Sequence, residues 1–492
     1  MTRLISHFRL TGRAAAFCAL GLSFAFAPRV TGAQATPKPK AVSAPTAIRI
    51  PFEKYTLPNG LTVVLSQDKS TPTVAVMMTY HVGSKNEVVG RTGFAHLFEH
   101  VMFTGSGHVP YGMHDRYTEG VGGSNNGGTG EDLTQYYETI PSNYLEHALW
   151  MEADRMGWLL DALDTAKYNA QRSIVQQERK QRVDNVPYGQ VSEIMAAATY
   201  PKTNPYSWPV IGHLVDLQNA PIGAVKEFFS KYYAPNNTTL SIVGDFDKAH
   251  TKALIAKYFS DIPRGPSIVR PVVPPTVLVK ERRMVYEDAV QVPRLYISWP
   301  TVDVHNPDHY ALEVLGDILS GSRLARLTKP LVYDQQVAST LFAGQSSDEN
   351  TGTFEIMVQP RPGHSLAELE QKTDSILAKI RATGPTSEEL LRSKAGLELG
   401  FLSGLESNLG KAGDLGANNA FFGDPSHFFT ADYTMAKAVT AADVKRVANK
   451  YLTAGRVVLS VVPKGQKDQA SKPAASIAVQ NMVDAAKLTE MK

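Results

Sequence analysis

Two histidines and a glutamate with the spacing of a metal site lie in the segment His96-Leu97-Phe98-Glu99-His100. On a helix, residues four positions apart project from the same face about one turn apart, so His96 and His100 can bind a single metal ion. Glu99 lies on the same side, where it can accept a proton from a water molecule at the metal. The pattern predicts a hydrolytic metal site. The alternative, two surface histidines on an amphipathic helix, is disfavoured by the mostly apolar flanking residues.

A third protein ligand has to come from another part of the chain, because Glu99 is placed to act on the water and not to complete the coordination. Catalytic zinc sites use three protein ligands and keep a fourth position open. Spacing alone leaves several candidates, namely His108, His114, Glu119, Glu131 and the acidic residues of two helices predicted over 142–161 and 164–184.

An internal repeat indicates that the chain contains one folding unit twice. Residues 225–243 and 444–462 align without a gap, and each segment predicts a helix followed by a strand. The dipeptide Asn59-Gly60 divides residues 55–67 and predicts an antiparallel hairpin. We therefore expect an α+β fold of two tandem homologous α/β sandwich domains, each with an antiparallel sheet packed with helices.

Composition sets the expected limits of the two domains. A Pro-rich linker is predicted at 264–278, with the metal-binding domain before it at 51–263. The homologous second domain is expected at 279–464, followed by a tail at 465–492 that opens with a polar, Lys-rich and Ala-rich stretch.

The second copy has lost the chemical groups of the first. Aligning the two copies places Leu312, Leu315 and Gly316 opposite the two histidines and the glutamate of the metal motif. None of these side chains can bind a metal ion, so we expect only the first copy to carry a metal site.

The N-terminus has the pattern of an export signal. Three arginines in residues 1–13 precede an apolar run at 14–27, and small residues follow it, which predicts a signal peptide over 1–35 and a disordered leader over 36–50. A mitochondrial presequence is the alternative, and the uninterrupted apolar run argues against it. We expect a periplasmic or secreted protein.

The charge distribution supports this assignment. The chain has 50 basic and 47 acidic residues, but no Asp or Glu precedes Glu53, so the positive excess belongs to the N-terminus and does not indicate a nucleic-acid partner.

The single cysteine, Cys18, lies in the apolar run, so no thiolate zinc site is expected in the mature chain. No later segment has the length of apolar sequence that a transmembrane helix needs.

Three segments resemble the insulinase/pitrilysin family of zinc metallopeptidases, which carry the inverted H-x-x-E-H motif. They are GFAHLFEHVMFTGS at 93–106, EDLTQYYETIP at 131–141 and IVQQERKQRVDNVPYG at 174–189. The chain looks like the bacterial short-chain type related to the beta subunit of the mitochondrial processing peptidase. The resemblance implies two homologous halves that face each other as a clamshell.

The resemblance also implies a third metal ligand. In the family, a glutamate about 77 residues beyond the second histidine is the third zinc ligand, and Glu178 lies 78 residues after His100 in the matching helical context. One Zn²⁺ per chain is therefore implied. Gln171 departs from the family pattern, because many relatives carry a glutamate seven positions before the ligand.

Further residues are implied in substrate binding. The Gly-rich segment 120–132 lacks the lysine of a phosphate-binding loop and leads into an edge strand, where the resemblance implies that a peptide is bound by strand addition close to Asn126. Arg326 and Tyr333 of the second half match an arginine and a tyrosine that such peptidases direct at the substrate.

The predicted function is a zinc-dependent endopeptidase that hydrolyses peptide bonds in extended peptides or unfolded protein segments. The resemblance implies a homodimer, or a heterodimer with an inactive homologous chain. One alternative is a non-catalytic or partner-dependent assembly subunit of the same fold. Another is a metal-dependent hydrolase that acts on a substrate other than a peptide.

Overall fold

The computed structural model describes residues 48–490, so the predicted signal peptide and nearly all of the predicted leader lie outside the described residues. The strands are β1 (Glu53–Thr56), β2 (Thr62–Gln67), β3 (Thr73–Tyr80), β4 (Ser124–Thr129), β5 (Thr134–Pro141), β6 (Thr238–Gly244), β7 (Arg282–Asp288), β8 (Arg294–Pro300), β9 (Ala338–Ser347), β10 (Gly352–Pro360), β11 (Val457–Pro463) and β12 (Ile477–Val479).

The α-helices of the described residues are α1 (Phe94–Val101), α2 (Met113–Gly120), α3 (Leu145–Ala162), α4 (Thr165–Arg179), α5 (Val191–Thr199), α6 (Leu214–Asn219), α7 (Ile222–Tyr232), α8 (Lys248–Phe259), α9 (Asp308–Ser320), α10 (Leu366–Thr383), α11 (Ser387–Gly404), α12 (Asn408–Phe422), α13 (Tyr433–Ala438), α14 (Ala441–Tyr451) and α15 (Met482–Glu490). None of them is long and apolar enough to cross a membrane.

The first sheet has the strand order β1-β2-β6-β3-β5-β4. Neighbouring strands are antiparallel except β2 and β6, which run parallel. The predicted hairpin forms from β1 and β2, and Gly60 between them has a φ of +96°, a left-handed conformation that glycine adopts without strain. Strand β4 lies at one edge of this sheet.

The second sheet repeats the first, in the order β12-β7-β11-β8-β10-β9. Strand β11 occupies the position of β6, and each of the two follows a helix, α14 or α7, as the internal repeat predicts. The sheet is antiparallel apart from β7, which pairs in parallel with both β11 and β12. The expected fold of two homologous α/β domains is confirmed, although each sheet is mixed and not purely antiparallel.

The prediction of a tail over residues 465–492 is wrong. Strand β12 completes the edge of the second sheet, with Val479 opposite Tyr286 of β7. Helix α15 packs against α5, and its residues Ala485 and Leu488 are buried. The polar composition at the start of this segment is typical of a linker and conceals the short apolar strand and amphipathic helix that follow. Residues 264–278, by contrast, form neither helix nor strand.

Helices pack on both faces of each sheet. On one of these faces, a helix comes from the other half of the chain. Along β3, Val74, Val76 and Met78 belong to the core that includes α1 and α3. The alternate residues Met77 and Thr79 face α12 of the second half. Helix α5 of the first half packs in the same way on β8 and β11. The two domains therefore face each other, and each of them places one helix on the sheet of the other, α5 from the first domain and α12 from the second.

Candidate metal centre

Helix α1 is amphipathic, and this explains how it presents the residues of the metal motif. Its apolar face is buried in the core of the first domain through Phe94, Ala95, Leu97, Phe98 and Val101. The side chains of His96, Glu99 and His100 are partly exposed on the opposite side. Burial of the apolar face thus fixes the rotation of the helix and the direction of the three functional side chains.

The start of α1 is fixed by a buried carboxylate. Glu87 accepts hydrogen bonds from the backbone N–H groups of Gly93 and Ala95, both at 2.8 Å. These N–H groups belong to the first turn of a helix and have no partner within it. Burial acts to raise the pKa of Glu87 well above its usual value, against the opposing effect of the backbone hydrogen bonds.

Glu178 of α4 brings a carboxylate to the two imidazoles. Its Oε2 lies 3.0 Å from Nε2 of His100 and 3.8 Å from Nε2 of His96. The two rings are 4.9 Å apart between centroids and nearly perpendicular, at 83°. One ligand atom from each residue lies within 4.8 Å of the others. Two imidazoles and one carboxylate form a donor set that suits zinc.

The C-terminal end of α4 is fixed on both sides of Glu178. Arg179 donates to both carboxylate oxygens of Glu193 on α5, at 2.7 and 2.9 Å, and to the carbonyl of Gly212 at 2.8 Å. Arg182, four residues beyond Glu178, forms an ion pair with its Oε1. The paired arginine leaves the other oxygen, Oε2, facing the histidines.

Glu99 lies against the edge strand β4. The hydroxyl of Thr129 donates to its Oε2 at 2.7 Å. A Cβ atom on Gly127 would lie 3.2 Å from Cγ of Glu99 and 3.1 Å from the ring of Tyr136. Glycine at position 127 therefore lets the strand approach the carboxylate closely.

The electrostatic environment of His96 and Glu178 favours the forms that bind a metal ion. Burial lowers the pKa of His96, although the nearby carboxylate of Glu99 opposes this shift. Burial alone would raise the pKa of Glu178, but the hydrogen bond with His100 and the proximity of His96 outweigh it, and the pKa is lowered. Neutral imidazole and ionised carboxylate are the forms that bind a metal ion.

Family models match both halves of the chain. The model of insulinase, peptidase family M16, matches residues 62–211, which contain α1 and α4, and the model of the peptidase M16 inactive domain matches residues 221–397. The chain belongs to the insulinase family. The family that the motif residues indicated in the sequence is thereby confirmed.

Individual relatives of this insulinase-family chain span most of its length. The zinc protease PqqE of Helicobacter pylori is 28% identical over 411 residues, which cover 81% of this chain and 90% of the relative. The mitochondrial-processing peptidase subunit beta of Blastocladiella emersonii is 24% identical over 420 residues, or 82% of this chain and 87% of that one.

Solved structures share the fold. The structure of a protease from Helicobacter pylori superposes with a TM-score of 0.78 at 27% identity and covers 84% of this chain and 100% of its own. A peptidase M16 inactive domain from Pseudomonas fluorescens superposes with a TM-score of 0.73 at 20% identity, over 84% of this chain and 98% of its own. This second similarity concerns the fold alone.

The positions that replace the metal motif in the second half are part of a core. Leu312, Leu315 and Gly316 are buried in α9. They fall within the range that matches the inactive domain model. The three residues that align with the metal motif are therefore buried in the second domain and offer no metal ligand.

Two of the remaining sequence-predicted residues lie on the elements of the metal centre. Gln171 is buried on α4, two turns before Glu178. Asn126 is partly buried in β4, and its side-chain oxygen accepts a hydrogen bond from the backbone N–H of Gly127 at 2.9 Å.

Arg326 and Tyr333 lie in the second domain, in different environments. Arg326 donates to both carboxylate oxygens of Glu389, at 2.6 and 2.7 Å, and to the carbonyl of Gly384 at 2.9 Å. These contacts give Arg326 a structural role at the start of α11. Tyr333 is 46% exposed, with the guanidinium of Arg323 5.9 Å from its ring centre. A role of the two residues in substrate binding stays a prediction.

Sequence reasoning missed the residues that position the metal centre. Arg182 follows Glu178 by four residues on a helix, a spacing that could have suggested their ion pair. The contact of Thr129 with Glu99 joins residues 30 positions apart, and no spacing rule in the sequence could have indicated it. Of the other candidate third ligands, His108 pairs with Asp154 at 2.5 Å.

Proposed function

We propose that this chain is an exported zinc-dependent endopeptidase. The proposal rests on the convergence of His96, His100 and Glu178, with the carboxylate of Glu99 held next to them by the edge strand β4. Three possible ligands and one separate carboxylate are the parts that a hydrolytic zinc site requires. The names of the relatives, which include zinc proteases, support the same conclusion.

The chemistry divides between the metal and Glu99. A zinc ion bound by His96, His100 and Glu178 would supply the Lewis acidity that activates a water molecule and polarises a peptide carbonyl. Glu99 accepts a proton from the attacking water and returns it to the leaving nitrogen, which then departs as an amine. The hydrogen bond from Thr129 holds one oxygen of Glu99, so the other oxygen is available for this transfer.

The edge strand β4 suits an extended peptide as substrate. Within residues 48–490, β4 pairs on one side only, with β5. An extended peptide can add to the other side through backbone hydrogen bonds, which depend on conformation more than on side chains. Because Gly127 and Thr129 of β4 contact Glu99, a peptide bound there would pass close to the metal centre. Asn126 lies on the same strand and is proposed to contact it.

Export and assembly complete the proposal. The N-terminal pattern of arginines followed by an apolar run supports secretion to the periplasm or beyond. The relative from Blastocladiella emersonii is named as a subunit, which supports a dimer with an identical chain or with an inactive homologous one.

The substitution Glu99→Gln tests the proposal. Zinc content by mass spectrometry and cleavage of a quenched peptide library are measured for the wild type, for Glu99→Gln and for Glu227→Gln, an exposed control on α7. We expect Glu99→Gln to keep its zinc and to lose roughly 100-fold or more of the cleavage rate, since it lacks the proton acceptor. The control should match the wild type.

One outcome would favour the alternative function. If the zinc-loaded wild type cleaves no peptide, alone or mixed with a homologous chain, the peptidase proposal is wrong, and a non-catalytic assembly subunit becomes the better reading. That alternative draws support from the second half, which matches an inactive domain model.

A further inference from the structure

A second group of metal-binding side chains is buried in the first domain, apart from the metal centre. His114 of α2, Glu138 of β5 and Glu152 of α3 each offer one ligand atom, and these atoms lie within 4.8 Å of one another. All three residues are at most 3% exposed. Arg155 of α3 is buried with them. We call these four residues the buried cluster.

Most polar atoms of the buried cluster lack a protein hydrogen-bond partner. Among the described residues, this holds for both ring nitrogens of His114, both carboxylate oxygens of Glu138, Oε2 of Glu152, and Nε and Nη1 of Arg155. The Nδ1 atom of His114 is 3.6 Å from Oε1 of Glu138, too far for a good hydrogen bond. Buried polar atoms are nearly always paired, because leaving them without a partner destabilises the folded state. These atoms therefore call for a ligand.

The charge of the buried cluster favours a cation as that ligand. Arg155 forms an ion pair with Oε1 of Glu152 and lies over the ring of Tyr136, with the guanidinium carbon 4.4 Å from the ring centre. One guanidinium compensates only one of the two carboxylates. The buried imidazole of His114 adds a ring nitrogen whose lone pair can bind a cation.

We propose that His114, Glu138 and Glu152 bind a second divalent transition-metal ion. One imidazole and two carboxylates form a donor set suited to zinc, manganese or iron(II). Because the buried cluster is closed to solvent, the ion has a structural role, in contrast to a catalytic site with an open position.

The second ion would tie together three elements that support the metal centre. It links α2 and α3 to β5, the strand that pairs with β4. Tyr136 of β5 lies between the two sites, since its ring contacts Arg155 on one side and the position of Gly127, next to Glu99, on the other. The ion would thus stabilise the edge of the sheet beside Glu99 without contacting the substrate.

Metal analysis of the full chain tests the second site. The double variant His96→Ala/His100→Ala removes the first centre, and Glu138→Gln is then added to it, with Glu227→Gln on α7 as the exposed control. Each protein is loaded with Zn²⁺ or Mn²⁺, passed over a desalting column and analysed by mass spectrometry. We expect about one metal equivalent in the double variant, near zero after Glu138→Gln, and about one in the control.

Two results would overturn the proposal, and neither depends on peptidase activity. One is a cooperatively folded double variant, verified by circular dichroism, that retains no metal. The other is a Glu138→Gln protein that retains as much metal as the control. If the double variant does not fold, titration of metal-free wild type with Zn²⁺ decides the matter, because the proposal requires two equivalents and Glu138→Gln must reduce them to one.

Discussion

At the scale of single residues, what the sequence reveals depends on how local a contact is. His96, Glu99 and His100 are recognisable because one helical turn brings them together. Glu178 contributes from another helix, so no spacing rule selects it, and only the resemblance to a known family indicated its role. The family models show that the chain belongs to the insulinase family. In the structure, Oε2 of Glu178 lies 3.0 Å from Nε2 of His100.

A first prediction concerns Arg182, because its ion pair orients the carboxylate of Glu178. We expect Arg182→Ala to weaken zinc binding about 10-fold, as is common when a group that supports a ligand is removed. The dissociation constant is measured by competition with a chelating dye. Lys180→Ala is the matched control, since it removes an exposed positive charge two residues from Glu178. Equal affinities of the two variants would show that charge, and not orientation, is what Arg182 contributes.

At the scale of elements, sequence patterns predicted the first hairpin, two long helices and the repeated helix-strand pair, and polar composition misled in one place. The hairpin of β1 and β2 and the long helices α3 and α4 agree with their apolar periodicity. Strand β12 was missed because three residues are too few to show a pattern, and its position depends on pairing with β7, almost 200 residues earlier in the chain. The Gly-rich segment 120–132 was expected to lead into an edge strand, but it contains the edge strand β4 itself, whose contact with Glu99 was not predicted.

The contact of β4 with Glu99 leads to a prediction at this scale. A Cβ on Gly127 would press on Glu99, Tyr136 and Phe103, whereas one on Gly128 would meet no atom within 4 Å. We expect Gly127→Ala to lower kcat/KM about 10- to 100-fold by displacing Glu99, because small errors in the position of a reacting group are costly. Gly128→Ala on the same strand should stay within about twofold of the wild type. Equal peptidase rates in the two variants would contradict this role of Gly127.

At the scale of the whole molecule, the sequence revealed the duplication but not how the two halves hold each other. Long-range contacts of single side chains leave no periodic signal. One such contact is made by Glu349, in the turn between β9 and β10 of the second domain. Its carboxylate pairs with Nε2 of His81 at 2.6 Å and with Lys85, and its backbone N–H donates to Asp132 at 2.8 Å. The turn thus joins the second domain to buried charges of the first.

This junction should make the stability of the protein depend on acid. Burial would raise the pKa of Glu349, but the hydrogen bond with His81 and the charge of Lys85 lower it to about 2, from an ordinary value of 4.5. A lowered pKa means that the folded state favours the carboxylate, so the stabilisation is complete above pH 4.5 and is lost as the pH falls toward 2.

We expect Glu349→Gln to lower the free energy of unfolding by about 3 kcal/mol or less at pH 7. The difference from wild type should shrink as the pH falls below 4.5, because the unfolded wild type then binds a proton at Glu349 that the folded state binds only near pH 2. Guanidinium unfolding at pH 7, 5, 4 and 3 measures both effects, with the exposed Glu406→Gln as control. The shrinking difference distinguishes a charge effect from a packing effect. A difference that stays constant with pH would mean that the shape of the turn, and not the charge of Glu349, holds the two domains together.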